Sequence, residues 1–284
     1  MYKQAIQLFR NTLALQQRIK RSLEFSSRLT VFGLAQQKNL KPPSFSCPQF
    51  SVWVSHQKVM GAIFRRAQVV CILALGMANG AGPLRKGTSL DPIRCAIFIS
   101  GSGSGMEAMV RYQQESTDCA HQTVLVLSDQ PDALGLQRAS NLGVESVCVP
   151  LPAKNTNSHE RRLLHEQTIN PILERYDVEL ILLSGYMRLV SAPFVEHWSP
   201  RIVNIHPSLL PSFPGAHAHR DVLASGVKVS GCTVHYVDAG MDTGEVLGQR
   251  RVPVFASDDE STLAERVKIE ERLLYPEIID RIVK

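Results

Sequence analysis

A chain of 284 residues, 44% hydrophobic and 20% charged, has ordinary globular composition and enough apolar material for a sizeable core. Its net charge of +5 is uneven: residues 1–90 carry thirteen Lys and Arg against one acid, Glu24, whereas residues 91–284 carry 18 bases against 25 acids, so +12 is followed by −7. The basic balance therefore makes no case for a nucleic-acid partner of the second part, and six scattered cysteines without a CxxC pair argue against a structural zinc site or a disulfide scaffold.

Residues 1–30 are basic, poor in acid and rich in Ser, Leu and Gln, which suits an organelle transit peptide. FRRAQVVCILALGMANGAG (64–82) puts two Arg before an apolar stretch and then small residues, the order of a secretory signal. It lies far from the start, and its apolar stretch is shorter than the ~20 residues of a spanning helix. Residues 1–90 are read three ways: without a folded role, with Met60 or Met77 as alternative starts; as a targeting segment; or as a small accessory element. GAGPLRKGTSLDP (80–92) reads as a linker. A basic extension and linker, disordered or targeting, thus spans 1–92, and the folded domain spans 93–284.

From residue 93 the pattern is regular. CAIFIS (95–100), TVLVLSD (123–129), SVCVPL (146–151), VELILLSGY (178–186) and RIVNIHPS (201–208) read as buried strands. EAMVRYQQ (107–114), ALGLQRASNLG (133–143) and SHERRLLHEQTINPILERYD (158–177) read as helices between them. Continuous apolar strands alternating with helices predict βαβ units: an α/β fold with a mostly parallel twisted sheet covered on both faces. GCTVHYVD (231–238) and EVLGQRRVPV (245–254), joined by a turn-like AGMDTG, predict an antiparallel edge. The stretch 258–283 predicts a long amphipathic helix with acids in its first turn. Cys95, Cys148 and Cys232 sit in strand-like runs and read as small hydrophobes in a reducing compartment.

Two stretches carry candidate chemistry. ISGSGSGMEAM (99–109) is a Gly-rich turn between the first strand and first helix, where Gly103, Ser104 and Gly105 could offer amides to a phosphate. It lacks the last Gly of the dinucleotide fingerprint and the Lys of a nucleotide P-loop, so a tight turn needed only for packing stays open. In IVNIHPSLLPSFPG (202–215), Asn204 and His206 project to one face of a strand end, Ile205 to the other, and Pro207, Pro211 and Pro214 stiffen the exit. Asp242, in DAGMDTGEV, is either a third member or an ordinary turn residue. A carboxamide for an oxyanion, an imidazole for a proton and a carboxylate to orient either are the parts of acyl transfer. GxSxG is absent, which predicts direct attack by a substrate amine without an acyl-enzyme.

NIHPSLLPSFPG, GCTVHYVDAGMDTGEV and SGSGSG, together with LLSGYMRLV (182–190) and ERVKIEERLLYPE (265–277), resemble the phosphoribosylglycinamide formyltransferases, members of the folate-dependent formyltransferase family, over about 93–284. The resemblance implies a Rossmann-like formyltransferase fold. It implies formyl transfer from 10-formyltetrahydrofolate, as co-substrate, to the glycinamide amine of a ribose 5-phosphate substrate in purine synthesis, with no metal. It implies catalytic Asn204, His206 and Asp242; a phosphate loop at Gly103, Ser104 and Gly105; and ribose and glycinamide contacts at Glu271 and Pro207. The folate cleft falls on Met187, Arg188, Leu189 and Val190 with Asp238, Ala239, Gly240 and Met241. Small molecules are the expected partners, with no nucleic acid and no membrane, for a monomer or weak homodimer. The expected location is cytoplasmic, or a plastid or mitochondrion if 1–90 is a transit peptide.

The chain departs from the family's pattern at Gly105, where the phosphate loop usually ends in Asn, and at His159, which the local alignment offers where an Arg often lies near the folate. Methionyl-tRNA formyltransferase, which carries a further carboxyl-terminal domain, fits less well because the chain ends soon after YPE. Formyltetrahydrofolate deformylase usually has His where this chain has Pro207. A catalytically silent nucleotide-binding module, working only through Gly103–Gly105, is the rival from a different class.

Overall fold

The apolar run that begins the acidic part forms β1, Ile93–Ile99, in a computed structural model that describes residues 83–153 and 157–284. The expectations placed on residues 1–82 lie outside the described residues. After β1 come α1 (Ser104–Glu115), β2 (His121–Ser128), α2 (Leu134–Asn141), β3 (Ser146–Cys148), α3 (Ser158–Arg175), β4 (Leu180–Leu183), α4 (Ala192–Trp198), β5 (Ile202–His206), α5 (Ala218–Ser225), β6 (Val229–Tyr236), β7 (Val246–Pro253) and α6 (Glu260–Val283). Two short helices, α4 and α5, are absent from the sequence reading, because seven or eight residues are too few to display a helical period. Ser191 starts α4 by accepting from the Phe194 amide. Strand β3 is shorter than SVCVPL suggests, since Pro150 has no N–H to offer a ladder.

The strands form one sheet in the order β3-β2-β1-β4-β5-β6-β7. The pairs β1–β2, β2–β3, β1–β4 and β4–β5 are parallel, and β5–β6 and β6–β7 are antiparallel. This is the predicted parallel sheet with an antiparallel edge. Alternation along each strand divides the core into two layers. Cys95, Ile97 and Ile99 of β1 pack with Val203, Ile205, Cys232 and Val234 beneath α1 and α6. Ala96 and Phe98 pack with Ile181, Leu183 and Ile202 beneath α3 and α4. Both faces are apolar because crossover helices cover both, so the inner strands read as continuous hydrophobic runs. Fully burying one such side chain stabilises the fold by about 1.5–3 kcal/mol.

Tyr275 of α6 is buried, and its hydroxyl lies 2.9 Å from the Val203 carbonyl and 3.2 Å from that of Leu183, tying the last helix to β4 and β5. Burial pushes its phenol well above the usual range, so it serves as a neutral donor. Tyr275→Phe should therefore lower stability by about 1–3 kcal/mol in urea titrations, the cost of leaving a buried carbonyl short of a partner. Residues 83–92 form no helix or strand but are held to the sheet. Arg85 donates to Glu179 and Asp91, the Gly87 amide donates to the Val283 carbonyl at 2.8 Å, and Leu84 packs on the core.

The strand order places the functional region. From β1 the chain runs outward to β2 and β3, then crosses to β4 on the other side of β1. Open α/β sheets bind ligands at the carboxyl ends of strands, where the order reverses in this way. Here those ends belong to β1 and β4, with β5 adjacent.

Candidate active site

The turn after β1 enters α1 through Gly103, which has a left-handed backbone (φ +69°). A Cβ there would lie 2.6 Å from the Gly135 Cα, so both conformation and space demand glycine. No side chain caps α1, and its start at Ser104 and Gly105 follows the carboxyl end of β1, leaving the first amides without an intrahelical partner.

At the end of β5, Asn204 and His206 lie on one face, opposite His235 and Thr233 of β6, while Ile205 enters the core. Phe213 and Gly215 in the proline-bearing exit both adopt positive φ, and so does Asp242 (φ +55°) in the β6–β7 connection. These bends bring the chain back over the strand end. Asp242 Oδ2 accepts from the Gly215 amide at 2.8 Å and lies 3.4 Å from His206 Nδ1. Its Oδ1 lies 3.7 Å from His235 Nε2. His206 Nε2 is 3.0 Å from the Phe213 carbonyl, which fixes that nitrogen as the N–H and turns Nδ1 to the carboxylate. Asn204 and His206, two residues apart on β5, thus meet Asp242, from the distant β6–β7 connection, at one point of the sheet's rim.

His235, which the sequence reading passes over, orients the carboxamide. Its Nδ1 is 2.8 Å from the Tyr236 carbonyl and so carries the proton. Its Nε2 must then accept, and Asn204 Nδ2 donates to it at 3.1 Å. One Nδ2–H of Asn204 is used and the second points away from the ring. Burial holds the His235 imidazole below its usual range, although the Tyr236 carbonyl and the Asp242 charge oppose this. The neutral ring needed as acceptor is therefore the favoured form. Pro207 follows His206 directly and is half-buried at the same rim.

The loop after β4 lines a cleft of 270 Å³. Met187, Arg188, Leu189 and Val190 all line it, and Met187 and Leu189 remain more than half exposed. Arg188 is held by Asp129 at the end of β2, Nε to Oδ2 2.7 Å, and Ser100 bridges Asp129 and the Met187 amide. Burial by itself would raise the Asp129 carboxyl, but hydrogen bonds from Ser100, Arg188 and Gln130 outweigh it and hold the group below the usual range. Asp129 and Ser100 are also missed in sequence; the available signal was a polar residue at the carboxyl end of each strand. His159 does not line this cleft. Arg161 and Arg162 do, because with Ser158 and His165 they share one face of α3.

The loop 238–243 is built on Asp238, whose carboxylate accepts from the Gly240 amide and the Thr243 hydroxyl. Ala239, Gly240 and Met241 are exposed at its tip, and the Met241 sulfur reaches toward Gly215.

Residues 93–279 match the family described as formyl transferase. The chain belongs to the formyl transferase family. It is 39% identical over 189 residues to the phosphoribosylglycinamide formyltransferase of Bacillus subtilis, covering 66% of this formyl transferase and 93% of that one. It is 40% identical over 191 residues to the trifunctional purine biosynthetic protein adenosine-3 of Drosophila melanogaster, of whose length it spans only 14%. Among solved structures, the phosphoribosylglycinamide formyltransferase of Brucella melitensis superposes with a TM-score of 0.62 at 41% identity, covering 68% of this chain and 96% of that one.

Glu271 stands apart from the Asn204 cluster. It lies on α6, next to the Cys232 thiol on the sheet face opposite His235, and among the described residues it makes no hydrogen bond or ion pair. Burial pushes its carboxyl from 4.5 up to about 7, with Lys268 and Arg272 pulling the other way. Since the folded state holds this proton more tightly than the unfolded one, the associated stability is present below pH 4.5 and lost as pH rises through 7. Glu271→Gln should consequently raise the unfolding free energy of this formyl transferase, read from urea titrations, by about 1–3 kcal/mol at pH 8 and leave it unchanged near pH 4.

A second titratable group lies at the amino end of the sheet, where Cys119, His121 and Asp280 approach within 4.8 Å of one another. Gln113 decides its character. Its Oε1 accepts from the Thr123 amide, so its Nε2 donates to His121 Nδ1 at 2.8 Å. The proton then resides on His121 Nε2, which faces Asp280 Oδ1 at 3.4 Å without a lone pair for a cation. The group is a polar bridge between α1, β2 and α6. Burial pushes His121 down from 6.5 to about 4 against the pull of Asp280. The unfolded chain binds this proton first, so stability falls as pH drops from 6.5 toward 4. In His121→Gln the loss of urea midpoint between pH 7.5 and pH 5 should be smaller than in the parent.

Proposed function

We propose that this chain transfers the formyl group of 10-formyltetrahydrofolate to the amine of 5-phosphoribosylglycinamide, in purine synthesis. The observation that carries the reading is the seating of the Asp242 carboxylate between two imidazoles, beside the Asn204 carboxamide, at the rim of a parallel sheet. The Bacillus subtilis relative, a phosphoribosylglycinamide formyltransferase matched over 93% of its length, supports the choice of acceptor.

In this reading the ribotide phosphate lies on the amides of Gly103, Ser104 and Gly105, Glu271 meets the ribose hydroxyls, and Pro207 borders the glycinamide. Met187, Arg188, Leu189 and Val190, with the loop from Asp238 to Met241, hold the folate. The amine attacks the formyl carbon, and the carbonyl electron pair moves to oxygen. The free Nδ2–H of Asn204 donates to that oxyanion, and His206 assists when protonated at Nδ1, where Asp242 stabilises the cation. The carbon–N10 bond then breaks. The proton lost by the amine reaches the departing folate nitrogen through a water positioned by Asp242, so proton count is conserved. General acid–base help of this kind is worth about 10²–10⁴ in rate. No metal takes part in these steps.

Among the described residues no helix is long and apolar enough to cross a membrane. The free cysteines Cys95, Cys119 and Cys232 are buried thiols, which favours a reducing compartment; we place the protein in the cytoplasm, or in a plastid or mitochondrion if 1–90 directs it there. It acts as a monomer or weak homodimer on small molecules. The test is to incubate purified protein with 10-formyltetrahydrofolate with and without the ribotide. Tetrahydrofolate should appear only when both are present, and equal release without the acceptor would contradict the reading.

A further inference from the structure

The last position of the phosphate loop that the resemblance implies is Gly105, which has no side chain. The space beside Gly105 is occupied from elsewhere in the chain. A Cβ built on Gly105 would lie 2.5 Å from Ser184 Oγ, closer than any ordinary contact, so the Ser184 hydroxyl stands where a side chain of residue 105 would begin. Ser184 is the first residue beyond β4. Its amide donates to the Phe98 carbonyl at 2.9 Å, and the next carbonyl, of Gly185, accepts from the Ser100 amide at 3.1 Å. The backbone carrying the hydroxyl is thereby fixed to the carboxyl end of β1, at the reversal of strand order. The hydroxyl itself is only half-buried and makes no hydrogen bond among the described residues. A fixed, unpartnered donor beside the amides of Ser104 and Gly105 is suited to an anion with several acceptor oxygens.

We propose that Ser184 is a substrate-specificity residue: its hydroxyl donates to the phosphate of the acceptor and supplies the polar side-chain group that Gly105 lacks. This rests on the ribotide reading above. It also makes positions 105 and 184 mutually dependent. With Ser184 present, a side chain at 105 meets the hydroxyl; with Ala at 184, that space opens.

The test is steady-state kinetics on Ser184→Ala, Gly105→Asn and the double variant, with the ribotide and with its dephosphorylated riboside as acceptors. In Ser184→Ala, KM for the ribotide should rise about tenfold, the scale of one hydrogen bond to a charged group. Its kcat and its KM for the formyl donor should change less than twofold, and KM for the riboside should not change. Gly105→Asn alone should weaken ribotide binding, whereas Gly105→Asn combined with Ser184→Ala should bring KM back toward the parent value, a departure from additivity that only neighbouring sites show. An unchanged ribotide KM in Ser184→Ala, or an equal rise for the riboside, would overturn the assignment while leaving the parent reaction standing. A parent protein that fails to formylate the ribotide would remove the underlying reading instead.

Discussion

Asp242→Asn is expected to lose about 10²–10⁴ in kcat for formyl transfer while retaining its fold. Asn is nearly isosteric, tolerates the left-handed backbone at this position (φ +55°) and can still accept from the Gly215 amide through its side-chain oxygen. What disappears is the negative charge 3.4 Å from His206 Nδ1 and 3.7 Å from His235 Nε2. Without it the imidazolium form of His206 loses its stabilising partner and the relaying water loses its acceptor. His206→Ala and Asp242→Ala should each abolish measurable turnover with the circular dichroism spectrum unchanged. Near-parental kcat in purified Asp242→Asn would remove the carboxylate from the mechanism.

Asn204→Ala is expected to cost roughly 10²–10³ in kcat, the usual effect of deleting one oxyanion donor. The loss should fall on kcat with KM for both substrates little changed, because the donor acts on charge that develops only as the amine adds. Stability should also fall, by about 1–3 kcal/mol, because His235 is buried and its Nε2 loses the donor from which it accepts. A raised KM with unchanged kcat would assign Asn204 to ground-state binding.

The fold was legible because its signals are local. Five apolar runs, the first four of them separated by helical ones, marked β1 through β5, and a turn-like AGMDTG between two strand-like runs marked the antiparallel edge. The period-2 rule put Asn204 and His206 on one face and Ile205 in the core, and the strand pairing has that arrangement. What sequence could not give is what depends on contact at a distance. Asp242 reaches His206 only because two bends, at Phe213 and Gly215, fold the exit of β5 under the β6–β7 loop. His235 sits in an apolar strand and looks like any buried residue until its partner Asn204 is seen 3.1 Å away. Asp129, which holds Arg188, and Ser100, which bridges Asp129 and the Met187 amide, are the last residues of runs that read as strands and nothing more. Glycine at position 105 suggests only a missing side chain, and it takes the position of Ser184 to show what fills the space.

The most direct measurement follows the formyl carbon itself. Purified protein is given 10-formyltetrahydrofolate carrying a labelled formyl carbon together with glycinamide ribotide, and the label is located after a single turnover. A transferase in which the amine attacks directly sends the label into the formylated ribotide, in amount equal to the tetrahydrofolate released. Label recovered as free formate, with the ribotide unmodified, would contradict it and make water the acceptor.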